Sequence, residues 1–207
     1  RSAKNGQEFV KNLADRDIVV QVLQGEQEAL LGFAGAYTSG KCCVLDIGGA
    51  STEIVVGDAK NIDYVKSVPI GIVRVKDRCG EDKIAMQEYF AQMLAQFGQI
   101  PQFDNVLAIG GGATSFVAIV HKLFPYSSKF VDGRILSREE VKNAVEMLRS
   151  KTLEERKFVV GLEEKRRDVI VGSGELLIAV MDMLGRNSVI ARESDNMEGY
   201  LMQKLSQ

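Results

Sequence analysis

The sequence predicts an α/β fold, a mixed β-sheet with helices on its faces. Two observations carry that prediction. Short apolar runs of strand length recur, among them Cys42-Cys43-Val44-Leu45, Ile54-Val55-Val56 and Val106-Leu107-Ala108-Ile109. The first strands follow one another closely, whereas the later ones alternate with helical segments, a pattern that places covering helices on a shared sheet.

The elements follow in order. Residues 6–14 read as a helix. Ile18 to Leu23 is rich in β-branched residues and reads as a strand. Glu26 to Tyr37 carries Ala29, Leu30, Phe33 and Ala36 at helical spacing, which gives one buried face. Thr38-Ser39-Gly40 ends that helix and marks a boundary at about residue 38. Two strands then flank a turn at 46–53, and Tyr64 to Val68 supplies a third. Asp82 to Phe97 reads as an amphipathic helix, 105–109 as a strand and 113–123 as a helix. Ser137-Arg138-Glu139-Glu140 has the spacing of a capping box and starts a helix that runs to about Arg149. Glu163 to Leu184 is a long helical region, Ser188 to Ala191 a short strand, and Met197 to Leu205 a closing helix.

Composition narrows the functional classes. The 207 residues suffice for one or two domains, with 45% hydrophobic and 26% charged residues, both ordinary proportions. A net charge of −2 offers no basic surface for nucleic acid. No apolar run approaches the about 20 residues of a membrane span. Cys42, Cys43 and Cys79 lack zinc-site spacing and read as small buried hydrophobes, so a reducing cytoplasm is the simplest compartment.

Two turns carry candidate chemistry. The first, Asp46-Ile47-Gly48-Gly49-Ala50-Ser51-Thr52-Glu53, joins two apolar runs with two acids, two hydroxyls and two glycines. Glycine lets a backbone approach an oxyanion and present its N–H groups. A carboxylate at the end of a buried strand is costly unless it binds something. The same residues would also serve an ordinary hairpin. The second turn, Gly110-Gly111-Gly112-Ala113-Thr114-Ser115, runs from a strand into a helix start, where unpaired N–H groups favour anions. Two such loops facing one cleft would hold a chain of phosphates.

These residues resemble the exopolyphosphatase / guanosine pentaphosphate phosphohydrolase family. The matching segments are Arg1 to Asn5 with Glu8-Phe9, then Gln24 to Ala29 with Leu31-Gly32-Phe33. Next come Asp46 to Glu53, Gly110 to Thr114, Arg167-Asp168 with Gly172, and finally Glu198 to Leu201. They run in family order along essentially the whole chain. The resemblance implies the actin-like, ribonuclease H-like ATPase superfold, built of two lobes. Residues 1–38 would be the remnant of a first lobe plus a linking helix. Residues 39–207 would be the second lobe, its last helix from about 195 packing back toward the first. Family members open with a first lobe of about a hundred residues that has no counterpart here. Either the sequence is a portion of a longer chain or another chain supplies the rest.

The resemblance also assigns roles. Glu28 corresponds to the catalytic glutamate that orients or deprotonates water, although Glu26 shares its turn and either acid could simply complement a helix dipole. Asp46 and Glu53 would bind Mg2+, a cation that prefers oxygen ligands and keeps several waters; Glu53 could also position water. Arg1, Gly48, Gly49, Ser51, Thr52, Gly111 and Gly112 would contact phosphate, with Ser51 and Thr52 alternatively only capping the turn. Ala50 stands where the family usually has a third glycine, which would matter if that position needed a positive φ. The expected substrates are inorganic polyphosphate or guanosine pentaphosphate, and the exposed lobe face is expected to form a homodimer. Other readings are a nucleotide-binding module of the same superfold, such as a small-molecule kinase, and a non-catalytic interaction domain.

Overall fold

Side-chain alternation along one strand organises the structure. In β1 (Cys42–Ile47), residues Cys43, Leu45 and Ile47 join the main core, whereas Cys42 and Val44 face the opposite side. A strand buried on both faces reads as a continuous apolar run, as this one does up to Leu45. The computed structural model describes residues 3–205. β2 (Thr52–Gly57) and β3 (Ile62–Val68) extend the sheet from β1 in antiparallel fashion. β4 (Asn105–Ile109) lies parallel to β1 on its other side. β5 (Ile135–Ser137) pairs antiparallel with β6 (Ser188–Ala191), which runs parallel to β4. The resulting sheet has the order β3-β2-β1-β4-β6-β5 and is mixed, as the sequence predicts.

Helices cover both faces. α1 (Gly6–Ala14) buries none of its residues. α2 (Gly25–Ala36) lays Ala29, Phe33 and Ala36 on Val44, Val55, Leu107 and Ile109. The opposite face is covered by α3 (Ile72–Cys79), α4 (Lys83–Leu94), α5 (Gly111–Val120), α6 (Ser128–Val131), α7 (Arg138–Arg149) and α8 (Ile170–Met183). Phe116, Leu136, Leu148, Leu176 and Met181 are fully buried there. The helix starts obey local chemistry. Asp82 accepts N–H bonds from Ile84 and Ala85, and Ser137 with Glu140 closes the expected capping box at 3.2 and 2.8 Å.

The closing helix α9 (Asn196–Leu205) packs on α2 through glycines. A methyl added at Gly199 would stand 1.9 Å from the Leu31 carbonyl oxygen, and one at Gly35 would stand 2.1 Å from that of Asp195. No side chain fits either gap, so glycine sets how closely the two backbones approach.

Two expectations need correction, and two elements were not expected. Ile18 to Leu23 is not a strand. Val19 is 93% exposed, and no strand among the described residues pairs with the segment, so its β-branched residues have no ladder to join. α3 lies in a stretch to which the sequence analysis assigns no element. Its helix forms because the Ile72 and Val73 N–H groups donate to the Gly48 and Gly49 carbonyls at 3.0 and 2.9 Å. β5 is three residues long, too short for periodicity to reveal. The region 163–184 is a short 3-10 turn at Glu164–Arg166 followed by α8, not one helix.

Gly199→Ala should separate α2 from α9 and cost about 1–3 kcal/mol, the usual range for overpacking. Urea unfolding checks this, and an unchanged midpoint would mean the crossing has slack.

Candidate functional site

Parallel strands β1 and β4 end at the same sheet edge, where ligands of open α/β sheets bind. Asp46, next to last in β1, shares the parity of Cys42 and Val44 and therefore faces the α2 side. Its register partner on β2 is Glu53, whose own partner on β3 is Ser67. Glu53 is 3% exposed, and the Ser67 hydroxyl donates to its Oε1 at 2.5 Å. Glu28, on α2, is half-buried in a cleft of about 580 Å³ lined also by Leu23, Leu31 and Asn196.

Charge is concentrated there. Burial, then the carboxylates of Glu53, Glu28 and Asp195, push the Asp46 carboxyl up to about 7, against an opposing hydrogen bond from Asn196. Glu28 is thus electrostatically coupled to Asp46. Glu26 instead lines a separate cleft with Ser51, Ser67 and Arg74, which separates the two glutamates that the sequence left equivalent.

The second loop abuts this acid. Gly110 has φ +82°, and a methyl there would lie 3.0 Å from Asp46 Oδ1. Both backbone conformation and space therefore require glycine. Gly111 and Gly112 form the first turn of α5, where amide N–H groups have no intrahelical partner. The guanidinium of Arg166 covers Gly111 so closely that a methyl would meet its nitrogen at 1.9 Å. A cation at a helix N-terminus opposes the dipole. Only an anion would favour both, although Glu163 pairs with this arginine at 3.2 Å.

The sequence missed Arg166, because Lys165-Arg166-Arg167 looks like a solvated face. The family-matched Arg167 turns away, toward Glu164 at 3.5 Å, and its carbonyl accepts a bond from Arg156 at 3.1 Å. Asp168 pairs with Lys76 of α3 at 2.5 Å. These contacts hold the loop that carries Arg166.

The first turn agrees with expectation only in part. The Gly48 N–H donates to the Ser51 carbonyl at 2.9 Å and closes the hairpin, so it is engaged rather than offered to phosphate. Thr52 is fully buried, and its hydroxyl donates to the Ile70 carbonyl at 2.6 Å. It anchors the loop entering α3 instead of facing the cleft, because its parity is that of core residues Ile54 and Val56. Gly49 is exposed, and Ser51 is half-buried and lines the cleft that holds Glu26 rather than the one that holds Glu28. Ala50 is not among the positive-φ residues, so the departure from glycine costs no backbone strain. Arg1 lies outside the described residues.

The donor set suits a hard cation in part. No group of three or more His, Cys, Asp or Glu among the described residues is placed to hold a metal. Asp46 and Glu53 nonetheless offer adjacent oxygens, and Asn196 Oδ1 is buried without a hydrogen-bond partner. A hydrated cation would relieve the acid–acid repulsion and donate to that oxygen through its water. This fits Mg2+, which one or two carboxylates plus substrate phosphates commonly hold.

Comparison with known proteins identifies the fold. A crystal structure of the Aquifex aeolicus member of the Ppx/GppA protein family superposes with a TM-score of 0.87 at 25% identity, over 99% of this chain and 70% of that one. A second Aquifex aeolicus structure, of a PPX-GPPA enzyme, matches at 0.84 and 26%, over 97% and 71%. A bifunctional 3-dehydroquinate synthase/phosphatase of Fusobacterium nucleatum is 25% identical over 98% of this chain and 33% of its own length. A guanosine-5'-triphosphate,3'-diphosphate pyrophosphatase of Pseudoalteromonas atlantica is 40% identical over 44% of this chain and 19% of its own length. The chain therefore spans a third or less of the curated relatives it matches.

Sheet and helices together define a lobe of the actin-like ATPase superfold. The chain belongs to the Ppx/GppA phosphatase family, whose model matches residues 1–207.

The native state holds the Asp46 proton more tightly than the unfolded chain, where a free aspartate titrates near 3.9. The associated stability is complete below about pH 4 and is lost as pH rises through about 7. Asp46→Asn should match the parent at pH 4 and exceed it at pH 8 by up to about 4 kcal/mol. Equal urea midpoints at pH 8 would refute the strain.

Proposed function

We propose that this lobe serves a Mg2+-dependent phosphohydrolase that releases terminal orthophosphate from inorganic polyphosphate or guanosine pentaphosphate. The observation that carries the reading is the convergence of Asp46, Glu53 and Glu28 beside the Gly110–Gly112 loop. Phosphoanhydride hydrolysis needs an oriented water, a proton acceptor and positive charge around the phosphoryl oxygens. Glu28 is suited to the first two, since it reaches the acid cluster from an apolar cleft. Amides of Gly49, Gly111 and Gly112, the Ser51 hydroxyl and the Arg166 guanidinium are suited to grip phosphate, and the family resemblance assigns Arg1 to the same task. Mg2+ held by Asp46 and Glu53 would screen the phosphate oxygens. The relatives described as phosphatase and pyrophosphatase support the reaction class.

We further propose that residues 1–38 belong with a preceding lobe and that residues 39–207 form the second. The Aquifex aeolicus structures, of which this chain covers about seven-tenths, support a longer active unit. On this reading the 207 residues alone turn over little, and robust release by them would overturn it. The exposed Val22, Leu30, Met197 and Leu201 give self-association its surface. Purely monomeric sedimentation at high concentration would count against a homodimer. The free, buried thiols of Cys42, Cys43 and Cys79 support a cytoplasmic setting, and no helix of the described residues is long and apolar enough to cross a membrane.

The test is phosphate release by the protein carrying both lobes, with long-chain polyphosphate, guanosine pentaphosphate and ATP compared. Glu28→Gln should lower kcat by about 10²–10⁴, the usual contribution of general acid–base catalysis, with the fold intact. Unchanged release in that variant would remove Glu28 from the mechanism.

A further inference from the structure

The first phosphate loop is pinned from behind at three successive carbonyls. The Ile72 and Val73 N–H groups donate to the Gly48 and Gly49 carbonyls at 3.0 and 2.9 Å. Arg74, the next residue of α3, donates through its side-chain Nε to the Ala50 carbonyl at 2.7 Å. Three consecutive residues of one helix thus take three consecutive carbonyls of one turn. In a trans peptide the N–H points opposite to the C=O of the same unit, and all three of these units are trans. The amides of Gly49, Ala50 and Ser51 are therefore turned away from α3, and none of them donates to a partner among the described residues. Gly71 closes the α3 side. A methyl there would stand 2.5 Å from the Gly49 carbonyl carbon and 2.6 Å from the Ala50 nitrogen. Successive amides aimed to one side make an anion-binding concavity.

The first two bonds come from the main chain, whereas the third depends on a side chain. Helix preference does not explain that side chain. Arg74 is the third residue of α3, where a cation opposes the helix dipole, and the first turn carries no acid. It is half-buried and lines the cleft of about 520 Å³ that also holds Ala50 and Ser51.

We propose that Arg74 is a positioning residue for the first phosphate loop. Its bond to the Ala50 carbonyl aims the Ser51 amide alongside those of Gly49 and Ala50, so that three backbone donors meet one phosphate. Without Arg74 the peptide unit between Ala50 and Ser51 loses its carbonyl anchor, while the other two units keep theirs. Arg74 acts through the backbone and touches no phosphate in this scheme. The inference rests on the phosphohydrolase reading and adds the Ala50 and Ser51 amides to its donors.

Two variants separate positioning from charge. Arg74→Met removes the donor and keeps the length. Arg74→Gln removes the guanidinium but keeps a nitrogen at the same place along the side chain as Arg74 Nε. In the first arm, the 15N-labelled 207-residue chain is titrated with inorganic triphosphate at constant ionic strength. The Gly49, Ala50 and Ser51 amide resonances should move saturably. Arg74→Met should weaken this binding about 3–10-fold, the order of one net hydrogen bond, and Arg74→Gln should stay near the parent. Unmoved resonances at those three amides, or a glutamine variant as weak as the methionine one, would overturn the proposal. Arg74→Ala takes the place of the methionine variant if that one does not fold. In the second arm, kinetics on the protein carrying both lobes, Arg74→Met should raise KM by a similar factor with kcat within about twofold. A loss confined to kcat would overturn it as well. If the two-lobed protein hydrolyses none of the substrates, the phosphohydrolase reading fails, and the titration still decides whether Arg74 aims the loop.

Discussion

Repulsion between carboxylates at the end of a buried strand is the constraint on which the site depends. Asp46 lies in a strand otherwise made of core residues, and its register partner is another buried acid. Packing two acids this way is unfavourable in a folded chain without a compensating charge. The surrounding structure serves that arrangement. Ser67 donates to Glu53, Gly110 clears space beside Asp46, and α2 brings a third acid near. A fold selected for stability alone would replace Asp46 with valine and lose nothing from its core.

The same parity rule separates the turn's two kinds of residue. Thr52 and Glu53 are adjacent and equally buried, yet one hydroxyl serves the loop entering α3 and the other side chain serves the acid cluster. The sequence shows both as polar residues of one turn. Only the alternation of β2 assigns them to opposite faces, and this is why Thr52 turns to the core side while Glu53 joins the acid cluster.

Legibility varied with the range of the interaction involved. The strand–turn–strand and strand–turn–helix units could be read directly, since apolar runs and glycines sit next to each other. Asp46, Glu53, Gly111 and Gly112 could be assigned to strand ends and a helix start for that reason, and they lie there. Glu28 required the family resemblance, because a first-turn acid has a sufficient local explanation. Arg166 and Asn196 escaped notice. Each reaches the site from more than fifty residues away in sequence or from a loop whose local chemistry looks ordinary, and only packing reveals the reach. Ile18 to Leu23 misled in the opposite sense, since β-branched composition says nothing about whether a pairing partner is at hand.

The Gly48–Ser51 turn has one more property. Its carbonyls receive the first amides of α3, and Gly71 fits against Gly49 and Ala50 with no space for a methyl. α3 carries Lys76, which grips Asp168, one step along the chain from the segment that presents Arg166. Turn, helix and arginine-bearing segment are therefore connected through one helix. Losing the Lys76–Asp168 pair would leave the segment that carries Arg166 without this tie to the turn.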